Sequence, residues 1–124
     1  MRRRLPVTRQ SITHRVEIHD SVGGIHDVYI IIGLYPATKR RRARPGELFI
    51  KVGKEGSTLR GLLDVIGIQT SLLLQNGVRL KDICTKMKDI SFEPSGRTDD
   101  PTIPECKSLV DYIFRFLGEK FDEC

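Results

Sequence analysis

The segment VYIIIGLY, residues 28–35, is apolar at consecutive positions and rich in β-branched side chains. A strand with one wet face alternates apolar with polar residues, and this one does not. It reads as a strand covered on both sides, or as the central strand of a small sheet. At this length it is far too short to cross a bilayer.

Its neighbours in the chain supply the rest of a sheet. SITHRVEI, residues 11–18, alternates strictly, with Ile12, His14, Val16 and Ile18 on the inward side. DSVGGIHD follows as a turn, and its flanking His19 and His26 read as surface residues. ELFIKV, residues 47–52, resumes the sheet. Between the second and third strands stands PATKRRRARPG, whose Lys39, Arg40, Arg41, Arg42 and Arg44 lie between Pro36 and Pro45-Gly46. Prolines and a charge block of that density read as a loop, so residues 28–52 form an antiparallel hairpin with a long basic tip.

A helical half follows. From Ser57 the apolar residues fall at helical spacing, with one stripe through Leu59, Leu62, Leu63, Ile66 and Leu73 and another through Val65, Ile68 and Leu72. Such a helix is expected to be buried on more than one side. Asn76-Gly77 ends it. Leu80, Ile83, Cys84 and Met87 mark a short amphipathic helix, with Cys84 a packed thiol in its apolar stripe. Residues 91–105 are turn-rich and read as loop, in which the adjacent Asp99 and Asp100 read as solvated acids. The last helix places Leu109, Val110, Ile113, Phe114, Leu117 and Phe121 toward the core, and Asp111, Arg115 and Glu119 pair along its wet side. The fold class is therefore α+β, a small antiparallel sheet of about three strands followed by three helices packed on one face. Residues 1–10 read as a basic tail or linker, 11–121 as a single domain and 122–124 as a short C-terminal tail.

Several classes of function fall away. The three cysteines, Cys84, Cys106 and Cys124, show no CxxC spacing, which argues against a disulfide framework or a zinc knuckle and suits a reducing cytoplasm. The basic start precedes no apolar signal core, and no membrane role is expected. With 21 Lys+Arg against 16 Asp+Glu, the formal charge is +5, which permits anionic partners.

KVGKEGSTLRGLLDVIG, residues 51–67, has the outline of a phosphate cradle: a strand, glycines, Ser57-Thr58, then a helix. A P-loop needs its lysine after the second glycine, whereas Lys54 precedes Gly56, so the order is wrong. What remains is a turn freed by Gly56, with Ser57 or Thr58 as N-cap, and first-turn N–H groups beside Lys54 and Arg60 that can hold an anion.

Longer blocks carry a resemblance. RRRLPVTRQSITHRVEI, PGELFIKVGKEGSTLRGLLD, SLLLQNGVRL and FEPSGRTDDPTIPECKSLVDYIFRFLG together resemble the C-terminal region of adenosylcobalamin-dependent (class II) ribonucleotide reductases, the TSCPD domain, from Arg2 to about Phe121. KEGST, FEPSG and KSLVDYIFR are the most specific blocks. The resemblance implies that radical chemistry, cobalamin and substrate cysteines belong to a large barrel upstream, so no cofactor is expected on this chain alone. Some such reductases carry a cysteine pair on a mobile tail; here the tail holds the single Cys124. The chain begins where the family's linker to this domain begins, so a freestanding domain is expected. The basic tip 39–44 stands as an insertion relative to the family, either a solvated loop or an electrostatic arm for phosphate-bearing partners.

These features imply a non-catalytic accessory or regulatory module that binds a nucleotide or a reductase chain. An alternative is a freestanding nucleotide-binding or sequestering protein, of a phage for example, acting as a homo-oligomer. A second alternative is a non-specific nucleic-acid binder, against which stands an aromatic content of 6% without tryptophan. No nucleophile–base pair or metal-ligand spacing supports an enzyme in its own right. Any ligand site is assigned to Lys54, Gly56, Ser57, Thr58 and Arg60, joined by Phe92, Ser95, Gly96 and Arg97, with Arg97 as the anion clamp.

Overall fold

The structure, a computed structural model, describes residues 1–121. Its strands are β1 (Ser11–His19), β2 (Ile25–Tyr35), β3 (Arg44–Val52), β4 (Gly96–Thr98) and β5 (Glu105–Cys106). Its helices are α1 (Ser57–Gln75), α2 (Leu80–Met87) and α3 (Leu109–Lys120). The five strands form one antiparallel sheet in the order β3-β2-β1-β4-β5.

The sheet has five strands rather than about three. The two additional strands are very short and arise inside the segment expected to be loop. Their pairing is bought by neither propensity nor alternation but by position: Arg97 lies opposite His19 on one side and Glu105 on the other. Periodicity over two or three residues carries no signal. β3 also starts earlier than expected. Arg44 pairs with Tyr35 inside the ladder, so it belongs to the strand and not to the tip. Pro45 is tolerated there because β3 is an edge strand, where a missing N–H breaks no ladder bond.

β2 is an interior strand, paired on both sides by β3 and β1, but it stands second from the edge, and β1 is the middle strand of the five. Paired residues of antiparallel strands share a face. Val16, Ile18, Val28, Ile30, Ile32, Leu48 and Ile50 thus form one buried face, which joins residues of all three helices in the core. Tyr112, Phe114, Ile113 and Leu117 of α3 are almost wholly buried against it. The opposite face carries no such cover: Tyr29 and Phe49 are exposed there.

α1 packs along the edge strand. Gly67 approaches β3 so closely that a Cβ on it would stand 2.7 Å from the Leu48 carbonyl oxygen. Ser71 Oγ accepts the Leu48 N–H at 2.8 Å. A helix thereby covers an edge that would otherwise present unpaired backbone groups. This contact uses one side of α1 only. Leu62, Val65, Ile68, Leu72 and Leu73 stay exposed, so the helix is not buried on several sides as its composition suggested.

Residues 1–10 form no helix or strand and are pinned at several points. The Arg3 N–H donates to Gln75 O at 2.7 Å, Arg2 Nε to Gln75 Oε1 at 2.7 Å, and Leu34 N–H to Gln10 O at 2.9 Å. Arg9 forks onto Glu47 with two 2.8 Å bonds. Gln75, itself buried, also donates to Gly46 O at 2.9 Å, so one amide ties α1, β3 and the N-terminal segment together.

Candidate functional site

The first sequence-derived candidate, the Lys54–Arg60 turn, links β3 to α1. Lys54 adopts a left-handed backbone with φ of 54°. The N-cap is Gly56 and not Ser57 or Thr58: extended backbone at Gly56 places both hydroxyl residues inside the first turn, and no side chain caps the helix. Lys54, Gly56, Ser57, Thr58 and Arg60 are all exposed. Ser57 and Arg60 border a hollow of about 390 Å³ that also touches Lys51 and Asp64, which pair with each other at 3.3 Å.

The second candidate segment, Phe92–Arg97, leads into β4. Phe92 and Arg97 are exposed, and Ser95 Oγ donates to Glu93 Oε2 at 2.5 Å. Gly96 lies against the backbone of His19 and Asp20, where a side chain would collide with His19 O. The two segments stand at the same end of the sheet, and the hollow beside Ser57 and Arg60 is lined by no residue of Phe92–Arg97.

Beside the first of them stands a residue read from sequence as merely surface. His26 is half-buried, with Nε2 2.8 Å from Asp20 Oδ2 and Nδ1 2.8 Å from Glu55 Oε2. Asp20 Oδ1 in turn accepts the N–H groups of Val22 and Gly24. Burial alone would lower the pKa of His26, but the hydrogen bonds to Asp20 and then Glu55 outweigh it and raise it above the ordinary histidine value. Asp20 moves below its ordinary value, chiefly through the bond to His26 and then that from Gly24. The His26 ring is thus a bolt between the β1–β2 turn and the loop before α1.

Two further polar groups prove structural. Asp111 is 1% exposed and not on the wet side of α3. It accepts from Asp89 N at 2.5 Å, Lys107 N at 2.9 Å and Arg115 Nε at 2.8 Å, fastening the segments on either side of β4 and β5 to the helix. Tyr112 donates its hydroxyl to Asp100 Oδ2 at 2.7 Å and stands 2.8 Å from His14 Nε2, while His14 stacks on Phe116 at 3.9 Å. Burial and then the Asp100 bond push the Tyr112 phenol up, and burial lowers His14. Asp99 and Asp100 are therefore engaged acids: Asp99 Oδ1 accepts Glu17 N–H at 2.9 Å. Cys84 and Cys106 are buried thiols, in no disulfide among the described residues. Cys124 lies outside the described residues. Among the described residues no cluster of three or more His, Cys, Asp or Glu is placed to hold a metal, and no helix is long and apolar enough to cross a membrane.

The basic tip divides. Lys39 and Arg40–Arg42 lie in the loop after β2 and are exposed. Arg44 is drawn inward, over the Tyr35 ring at 5.1 Å, opposite no carboxylate partner among the described residues.

On the outer face, Phe49, Ile68 and Leu72 line a groove of about 380 Å³ between β3 and α1. Leu62, Val65 and Leu73 extend the same helix surface, and Ile68 is 61% exposed. A contiguous apolar surface of this kind marks an interaction face more often than a chance exposure.

The TSCPD domain family model matches residues 2–121. The Vitamin B12-dependent ribonucleotide reductase of Rhodopirellula baltica is 46% identical over 120 residues, which is 97% of this chain and 11% of that protein. The enzyme of the same name from Streptomyces coelicolor is 40% identical over 121 residues, 98% of this chain and 12% of that protein. That of Agrobacterium fabrum is 34% identical over 121 residues, 97% of this chain and 9% of that protein. The chain thus spans about a tenth of the length of these relatives and matches their C-terminal region. No solved structure matches it.

Proposed function

The chain belongs to the TSCPD domain family, and we propose that it is a non-catalytic accessory module that docks on the catalytic chain of a B12-dependent ribonucleotide reductase. One observation carries the reading. The whole chain corresponds to the C-terminal tenth of such reductases, and its own outer face leaves a groove and an apolar helix stripe uncovered. In the relatives the other nine-tenths of the polypeptide adjoin this domain, so the occupant of that face is assigned to the reductase chain.

The chemistry of the face suits a protein partner. Phe49, Val65, Ile68 and Leu72 supply an exposed apolar centre, and the Lys51–Asp64 pair stands at its margin. The buried or half-buried polar residues His26, Asp111, Asp100 and Gln75 are engaged in holding the fold, each binding backbone or neighbouring side chains. None is left poised as a nucleophile or general base, in keeping with a docking role.

The test is co-elution of the purified chain with a B12-dependent reductase from which the matching C-terminal segment has been removed. A complex is expected, and Ile68→Asp with Leu72→Asp should abolish it while the chain stays folded. Absence of a complex with the unaltered chain would overturn the proposal. So would a homodimer that buries the same face, because a second copy would then be the occupant.

A further inference from the structure

We propose that the cavity beside Tyr35 binds the polyphosphate group of a small anion, held by Arg41, Arg44 and Arg79 with Arg3 behind them. The cavity, of about 380 Å³, lies where the base of the β2–β3 hairpin meets the turn between α1 and α2. The guanidinium carbons of Arg44 and Arg3 stand 5.1 Å and 5.2 Å from the centre of the Tyr35 ring. Among the described residues no carboxylate pairs with Arg3, Arg41 or Arg44. Arg79 is paired, with Asp82 at 3.2 Å, on the exposed rim.

Crowded like charges are costly without a counter-ion. Arg44 registers this: burial first, then Arg41 and Arg3, lower its pKa from the ordinary arginine value. The simplest structural use for such arginines would be to cap the carbonyls at the end of α1. Those carbonyls are already served. Leu72 O accepts from Asn76 N and Nδ2, Leu73 O from Val78 N, Leu74 O from Gly77 N, and Gln75 O from Arg3 N. Gly77, with φ of 89°, makes this backbone cap attainable. The guanidinium forks of Arg41 and Arg44 are therefore not consumed by the helix end.

α2 adds a second source of positive potential. Leu80, its first residue, lines the cavity, and Arg79 as N-cap offers its first turn no side-chain acceptor. The positive end of the helix dipole faces the same space. Asp82 in that first turn offsets part of it.

The geometry also selects the chemistry of the ligand. Tyr35 is 4% exposed, its ring lies under two guanidinium groups, and its hydroxyl donates to Arg3 O. It offers no surface on which a base can stack. Recognition falls to forked N–H groups, which match phosphoryl oxygens. Several forks around one space suit linked phosphates better than a single one. Inorganic tripolyphosphate and the triphosphate of a nucleotide share this chemistry.

The site uses none of the residues of the docking face, so it stands or falls independently of reductase association. Calorimetric titration at low salt with tripolyphosphate, with dATP and with a short single-stranded oligothymidylate tests it. Tripolyphosphate is expected to bind, and dATP to compete with it. Arg41→Gln and Arg44→Gln should each weaken binding about tenfold, the equivalent of roughly 1.4 kcal/mol. Lys86→Gln, which removes an exposed cation elsewhere on α2, should change it less than about twofold. Arg41 is exposed, so its variant keeps the test valid even if Arg44→Gln disturbs the fold. No binding of tripolyphosphate at millimolar concentration overturns the proposal, as does an equal loss in Lys86→Gln. Binding of the oligonucleotide alone overturns it too, since the ligand would then be a phosphodiester chain.

Discussion

Ser71 Oγ lies 2.8 Å from the Leu48 amide nitrogen and 2.7 Å from the Gly67 carbonyl oxygen, so one hydroxyl accepts from the edge strand while it donates within its own helix. Helix and edge strand are bolted at the point where Gly67 allows closest approach. Ser71→Ala strips Leu48 of that partner and is expected to cost roughly 1–2 kcal/mol. Gly67→Ala drives a methyl group into a carbonyl and is expected to cost about 2 kcal/mol or more. Chemical denaturation of the two variants checks both values. A neutral Gly67→Ala would show that α1 does not sit against β3 as described.

The His26 bolt gives stability a pH dependence. Its folded pKa is raised, so its contribution is full below about 6.5, the ordinary histidine value, and is lost as pH rises through the raised value. Asp20 has a depressed pKa, so its contribution is present above the ordinary carboxylate value and lost as pH falls through the depressed one. His26→Gln should remove the alkaline loss and leave the acid loss reduced, since Asp20 then lacks its main partner. NMR titration of the His26 ring, followed with amide exchange at Glu55 and Gly56, reads this out. A ring that titrates below the ordinary value contradicts it.

Asp111 holds three donors from an almost fully buried position. Asp111→Ala leaves the Asp89 and Lys107 backbone N–H groups and the Arg115 Nε–H without their acceptor, while Arg115 keeps Asp89. A loss of about 3 kcal/mol is expected. Asp111→Asn, which keeps one acceptor oxygen, should recover part of it. Thermal melts of the pair distinguish a charge requirement from a simple packing role.

The outer face predicts the opposite behaviour. Ile68 and Leu72 are exposed and contribute little to the core, so Ile68→Asp or Leu72→Asp should change stability by no more than about 0.5 kcal/mol. Binding of a hydrophobic dye to the folded chain should fall in both variants. A large loss of stability would mean that these side chains pack within the domain and are not available to a partner.

The two candidate segments illustrate how far residue patterns reach. Lys54–Arg60 and Phe92–Arg97 were conspicuous because their glycines and cations are not needed to fill a core. The structure puts them at one end of the sheet, and the hollow beside Ser57 and Arg60 touches no residue of Phe92–Arg97. The cluster at Tyr35 was harder to see. Arg3, the neighbouring Arg41 and Arg44, and Arg79 come from three distant parts of the chain, and only the N-terminal segment, the hairpin base and the α1–α2 turn bring them together. Arg44 counted as one of a run of loop cations until the ladder with Tyr35 drew it inward.

The sequence by itself determined the α+β class, the interior place of the apolar run in β2, the inward face of β1, and the core-facing stripes of α2 and α3. These follow from periods of two and 3.6 that a dozen residues can carry. Tertiary structure alone decided that β4 and β5 exist, that α1 seals an edge and leaves its other side bare, and that His26, Gln75 and Asp111 are fasteners. Such residues gain their roles from donors and acceptors distant in sequence, and a buried polar group is tolerated only where those partners arrive. No local pattern encodes that arrival.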